Sequence, residues 1–191
     1  EWKQVVRLRF KGERFMDHAL DLSALAELRQ FQVMVAETAK ALWRASHPER
    51  ERLPRHFEDR TRLCLRTILE GSAVAPLEVF IEESEQGELF EPEPREVSEA
   101  ITLAYRVFDC AEKDKPLPEQ FPKELVPQYV EWGRTLREGE QVEIERPGVK
   151  RVARVTPRTR EQLTKFAAMP HAGTIEVSGH VLEADVRQRR F

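Results

Sequence analysis

Leu25, Leu28, Phe31, Val35, Ala39 and Leu42 recur at helical spacing between Asp21 and Ser46, with Ala36 and Trp43 widening the stripe; on both sides of this segment the apolar residues alternate instead. A chain whose hydrophobic period changes in this way within its first 83 residues is expected to lay one long helix on a sheet. Asp21 or Ser23 can cap that helix, and Pro48, which biases His47 away from helical geometry, ends it. Gln32 lies inside the apolar stripe, so its amide is expected to bond backbone at a strand end, because a buried amide left without partners costs about 1–3 kcal/mol.

The flanking strands are read from parity. Residues 4–10 place Val6, Leu8 and Phe10 on one face and Val5, Arg7 and Arg9 on the other. A tight turn at Lys11-Gly12-Glu13 then leads into a second strand over 14–20. Residues 60–69 and 74–81 form the clearest hairpin. Leu63, Leu65 and Leu69 share a parity with Leu77, Val79 and Ile81, which demands an odd loop such as Glu70-Gly71-Ser72 and puts Pro76 at a non-bonded site or bulge. Leu28, Val35, Leu63, Leu65, Leu77 and Val79 are the expected core. The opposite face would carry Arg7, Arg9, Arg60, Arg62 and Arg66 beside Glu78 and Glu82, and cross-strand ion pairing accounts for that mixture. A nucleic-acid reader would need exposed aromatic rings among these arginines, and only Phe80 qualifies.

Residues 84–95 read as an acidic, proline-containing linker between lobes at 1–83 and 96–191. From Glu78 to Glu99 there are nine glutamates against Arg95, whereas from Arg146 onward ten lysines and arginines face four acidic residues. Beyond the linker, Val97, Ala100, Ile101, Ala104, Val107, Phe108 and Ala111 make the stripe of a helix over about 96–112. A further helical segment over 121–137 enters at Pro122 and breaks near Pro127, with Gly133 allowing a close approach. Val142 and Ile144, then Val149, Val152 and Val155, suggest a hairpin turning at Pro147-Gly148, followed by a helix capped by Thr156. Residues 174–186 read as a strand bulged near 179–182, and Phe191 as the first apolar residue of a strand that would follow. The sequence is therefore expected to be a piece of a longer protein.

The fold class expected is α+β: an N-terminal antiparallel four-stranded sheet with one long packed helix, then a helical segment leading into a small β-barrel-like C-terminal lobe. A mean hydropathy of -0.57 with 34% charged residues, no long apolar window and no secretory leader point to a cytoplasmic protein with no membrane association. The 23 arginines against 8 lysines suit a GC-rich bacterial genome, so arginine number alone is weak support for phosphate binding.

Chemistry-bearing motifs are sparse. Cys64 and Cys110 read as reduced core residues, and His18, His47, His56, His171 and His180 have no metal-ligand spacing. Gly71-Ser72 lacks the frame of a nucleophile elbow, Glu82, Glu83 and Glu85 read as solvated linker charge, and no glycine-rich phosphate loop exists. No catalytic residue, cofactor or metal is expected. One constellation has a physical rationale: Arg151, Arg154, Thr156, Arg158 and Arg160 surround a helix start, where cations oppose the macrodipole unless an anion joins them. These residues are the candidate anion-binding set. The expected function is a non-catalytic binding or assembly module of a larger bacterial protein or complex, with a protein partner or the remainder of a longer chain, and a basic C-terminal surface for nucleic-acid backbone or an acidic partner. The alternative is an enzyme fragment or subunit whose active site is completed elsewhere.

Overall fold

A computed structural model of the protein describes residues 1–18, 20–67, 73–81 and 95–168. In chain order the strands are β1 (Trp2–Lys11), β2 (Cys64–Leu65), β3 (Ala73–Phe80), β4 (Gln141–Glu145) and β5 (Ala153–Val155). The helices are α1 (Leu22–Ser46), α2 (Phe57–Arg60), α3 (Arg95–Glu112), α4 (Val126–Glu131) and α5 (Pro157–Ala168). The strands form one antiparallel sheet in the order β2-β3-β1-β4-β5.

Among the described residues the sheet is open and not barrel-like, and β1 is its middle strand. Its Leu8 pairs with Ala75 on one side and Ile144 on the other, and Phe10 pairs with Ala73 and Val142. The hairpin turning at Pro147-Gly148 is present, with the Val149 amide donating to the Arg146 carbonyl at 3.1 Å and Gly148 at φ +73°. β4 and β5 thus extend the sheet to five strands, and among the described residues they form no separate barrel-like lobe; strands from the segments expected as lobes 1–83 and 96–191 pair in this sheet. Residues 84–94 of the expected linker, the 174–186 strand, its 179–182 bulge and Phe191 lie outside the described residues.

Val6, Leu8, Phe10, Ala75, Leu77, Val79, Val142 and Ile144 fill the apolar face of the sheet, under the buried sides of α1 and α3. All seven residues expected on the α3 stripe are buried. On α1 the buried side is turned from the expected stripe. Leu25 is exposed and Leu28 and Leu42 are half-buried, while Ala24, Glu27, Met34 and Thr38 face inward. Asp21 is the N-cap, accepting from the Ala24 amide at 2.8 Å, and His47 closes the helix while stacking on Trp43 at 4.4 Å.

Two expected strands are replaced. Residues 14–18 of the expected 14–20 strand are not extended, because Glu13–His18 forms a 3-10 helix that buries Phe15 against Phe10 at 5.3 Å and points Arg14 toward Glu140. Of the expected 60–69 strand, residues 60–67 are described and only Cys64–Leu65 is strand, because Phe57 anchors α2 beneath Trp43 and Gln32 takes the neighbouring backbone groups; Leu69 and the Glu70-Gly71-Ser72 loop lie outside the described residues. The Gln32 amide donates to the Thr61 carbonyl at 3.1 Å and accepts from the Leu63 amide at 2.5 Å, the strand-end partners its position requires. Like-parity pairing survives in Cys64↔Glu78 and Leu65↔Leu77, but Leu65 is 36% exposed at the sheet edge, not in the core. Leu65→Ala is accordingly expected to shift the free energy of unfolding by about 0.5 kcal/mol or less, against about 2–5 kcal/mol for Leu77→Ala. Urea titration of the two variants measures the difference.

α4 and the turn after it set the C-terminal half. Pro127 sits in the first turn of α4, which ends at Trp132 in extended geometry, and Gly133 at φ +83° turns the chain back. A Cβ on Gly133 would stand 3.0 Å from Val155 and 3.2 Å from Arg160, so this is where α5 and β5 approach the turn. Around it Phe31, Phe108, Phe121, Tyr129 and Trp132 form a connected aromatic cluster with centroids 4.7–5.6 Å apart. The Tyr129 hydroxyl meets Thr38 at 2.8 Å, and burial pushes its pKa up despite that bond.

Candidate nucleic-acid interface

The structure distributes the candidate anion-binding residues among different partners. Thr156 caps α5, accepting from the Thr159 amide at 3.2 Å, and shares a 3.0 Å bond with the Thr159 hydroxyl. Arg154 lies on β5 and bonds Glu112 at 3.0 Å while facing Glu143 at 3.5 Å. Arg160 donates from Nε to the Val130 carbonyl at 2.7 Å, beside Gly133. Arg151, Arg154 and Arg158 are exposed and Arg160 is half-buried, but Arg154 and Arg160 hold the partners just named, so two of the four guanidiniums are engaged in internal contacts.

The second face of the sheet carries the charges. Arg7, Arg9 and Lys11 from β1 lie beside Glu143 and Glu145 from β4, and Arg154 beyond them. Arg9 contacts Glu145 at 2.5 Å and Glu143 at 4.0 Å, and Lys11 contacts Glu143 at 2.9 Å. Glu143 is buried under these cations. Cross-strand ion pairing therefore holds the β1–β4–β5 part of this face, with Glu143 and Glu145 as the acids; of the glutamates expected here, Glu78 meets Arg66 and Glu82 lies outside the described residues. Arg60, in contrast, belongs to α2 and pairs with Glu96 at 3.5 Å.

At the other end of the face the composition changes from ionic to aromatic. Trp2 and Phe80 are register partners with ring centroids 5.2 Å apart and planes inclined at 61°. They are 37% and 51% exposed. The Arg66 guanidinium stands 5.5 Å from the centre of the Trp2 ring and reaches Glu78 at 3.4 Å. Arg7 donates to Gln4 at 3.2 Å and, among the described residues, makes no ion pair. The sequence pattern missed Trp2 because the register shifts between Gln4 and Val6, leaving Val5 unmatched. This bulge moves Trp2 and Gln4 onto the face that carries Arg7, where uninterrupted alternation would aim them at the core. The consecutive pair Val5-Val6, both buried, is the one trace of it in the sequence.

Elsewhere, a shallow groove of about 310 Å³ runs between α1 and α3, lined by Leu42, Ser98, Thr102, Leu103, Arg106 and Gln120; the Thr102 hydroxyl is already bonded to the Ser98 carbonyl at 2.7 Å. Among the described residues no three His, Cys, Asp or Glu side chains gather as a metal site, and no helix is long and apolar enough to cross a membrane. Cys64 and Cys110 are free and half-buried. His56 faces Asp59 at 3.3 Å, while Gly71-Ser72, Glu82, Glu83, Glu85, His171 and His180 lie outside the described residues. Comparison of the chain with protein-family models, curated proteins and solved structures finds no match.

Proposed function

We propose that the protein is a non-catalytic, cytoplasmic binding module of a larger bacterial protein or complex, and that it contacts nucleic acid through the aromatic end of the polar sheet face. The observation that carries this reading is the exposed Trp2–Phe80 pair with Arg66 over the indole and Arg7 one bulge further along β1. Rings supply stacking surface, and guanidiniums supply phosphate contacts. The C-terminal arginines are a poorer anchor, since Arg154 and Arg160 already hold internal partners.

Fluorescence tests the location directly. Trp43 and Trp132 are 5% and 0% exposed, so acrylamide quenching of the native protein reports mainly on Trp2. Nucleic acid, titrated as a single strand or a duplex, is expected to protect this emission. The dependence on salt should be shallow, with a slope near about -1.4 for the two phosphates that Arg7 and Arg66 can neutralise on a single strand. Emission that stays fully quenchable at saturating nucleic acid would place the contact elsewhere.

A further inference from the structure

We infer that the ligand of this face is a single-stranded nucleic acid held by base stacking on Phe80 and Trp2, with Arg66 and Arg7 taking the flanking phosphates; this rests on the nucleic-acid reading above. Two features of the face select the single strand. A duplex is bound chiefly through its phosphates, and that needs a track of uncommitted cations. On this face Arg9, Lys11 and Arg154 are instead paired with Glu145, Glu143 and Glu112, so the cationic length is short. The affinity must come from something other than charge.

The rings provide it, and they can be used only by unpaired bases. In a duplex the faces of the bases are stacked on one another and out of reach, whereas a single strand can turn each base onto an aromatic ring. Phe80, the more exposed of the pair, presents such a surface at the end of β3. Trp2 stands edge-on to it and is bracketed on its own face by the Arg66 guanidinium, which lies close enough for a base or a phosphate to engage ring and cation together. Glu78 holds Arg66 at 3.4 Å, a long contact that an incoming phosphate can replace. Across the register shift, Gln4 and Arg7 then continue the path along β1 on the same face.

The test is fluorescence anisotropy of a labelled short oligodeoxythymidine with the full chain, repeated with the same strand annealed to its complement and with a polyglutamate competitor. Wild type is expected to bind the single strand at least about tenfold more tightly than the duplex. Trp2→Ala and Phe80→Ala are each expected to weaken single-strand binding by about fivefold to a hundredfold, the range that stacking of one base supports. Trp2→Phe should restore most of the loss, because a ring is retained. Both side chains are exposed, and matching circular dichroism and thermal unfolding will show that the variants are folded. Single-strand binding that survives both alanine variants but falls in Arg151→Gln/Arg158→Gln overturns the stacking inference while leaving the nucleic-acid reading in place. Equal affinity for strand and duplex likewise overturns it. Absence of binding to either nucleic acid, or displacement by polyglutamate as effective as by unlabelled strand, overturns both.

Discussion

Arg14→Ala is expected to lower the free energy of unfolding by about 3–5 kcal/mol, because it leaves the Glu140 carboxylate buried without its cation. Arg14 bonds both oxygens of Glu140, at 3.0 and 2.8 Å, and also reaches Asp21 at 2.8 Å and the Thr135 carbonyl at 3.1 Å. Its side chain is 11% exposed and that of Glu140 6%. The cluster joins the 3-10 helix after β1, the start of α1 and the approach to β4. Gly12 makes room for it, since a Cβ there would stand 2.7 Å from the Glu140 side chain.

The same cluster predicts an acid limb. Burial alone would raise the pKa of Glu140, but the Arg14 bonds and the Arg137 amide outweigh it and lower the value below 4.5. Asp21 is lowered from 3.8 to about 2, first by the Ser23 hydroxyl, then by the Ala24 amide and Arg14. Both groups release protons more readily in the folded state. Their contribution is therefore complete above the unfolded values and is lost as pH falls from about 4.5 toward 2. Urea titrations near neutrality and near pH 3 should show wild type losing more stability than Arg14→Ala over that window. An acid dependence unchanged by the substitution would mean that other carboxylates set it.

Glu27→Ala is expected to cost about 2–5 kcal/mol through a different mechanism, the orphaning of backbone donors. The Glu27 carboxylate accepts from the Gly133 amide at 2.5 Å and the Thr135 amide at 2.7 Å, and its carbonyl accepts from Trp132 Nε1 at 3.0 Å. One side chain of α1 thus fastens the turn that carries the chain from α4 to β4. Glu27→Gln keeps one oxygen and should lose about half as much. Chemical denaturation followed by the emission of buried Trp132 checks both; a loss below about 1 kcal/mol for the alanine variant would show that water serves the two amides.

How much of this was legible depended on whether partners lay nearby in sequence. α3 could be read residue by residue because its buried side is purely apolar. α1 was found but turned, because Glu27 and Thr38 occupy core positions that their distant partners, the 133–135 turn and Tyr129, make tolerable. β2 was overextended because an alternating leucine pattern does not reveal that Gln32 and Phe57 claim the surrounding backbone and space. The arginines near α5 looked available for the same reason: Glu112 and the Val130 carbonyl, which hold Arg154 and Arg160, lie 42 and 30 residues away. The aromatic end of the sheet was half visible, Phe80 by parity and Trp2 hidden behind a one-residue change of register.

That unmatched Val5 makes the face reached by the strand's first residues depend on one extra residue. Were the ladder to run uninterrupted from Trp2 to Lys11 at unchanged length, every residue ahead of the shift would exchange faces together: the indole would be driven toward the helices while Lys3 came to occupy its place beside Phe80. Deletion of Val5 has the opposite outcome, because Val6 would then follow Gln4 directly, with Glu78 and Phe80 still opposite Gln4 and Trp2. The surface therefore tolerates the loss of that residue and is erased by the straightening of the bulge, a change that leaves the amino acids composing it untouched.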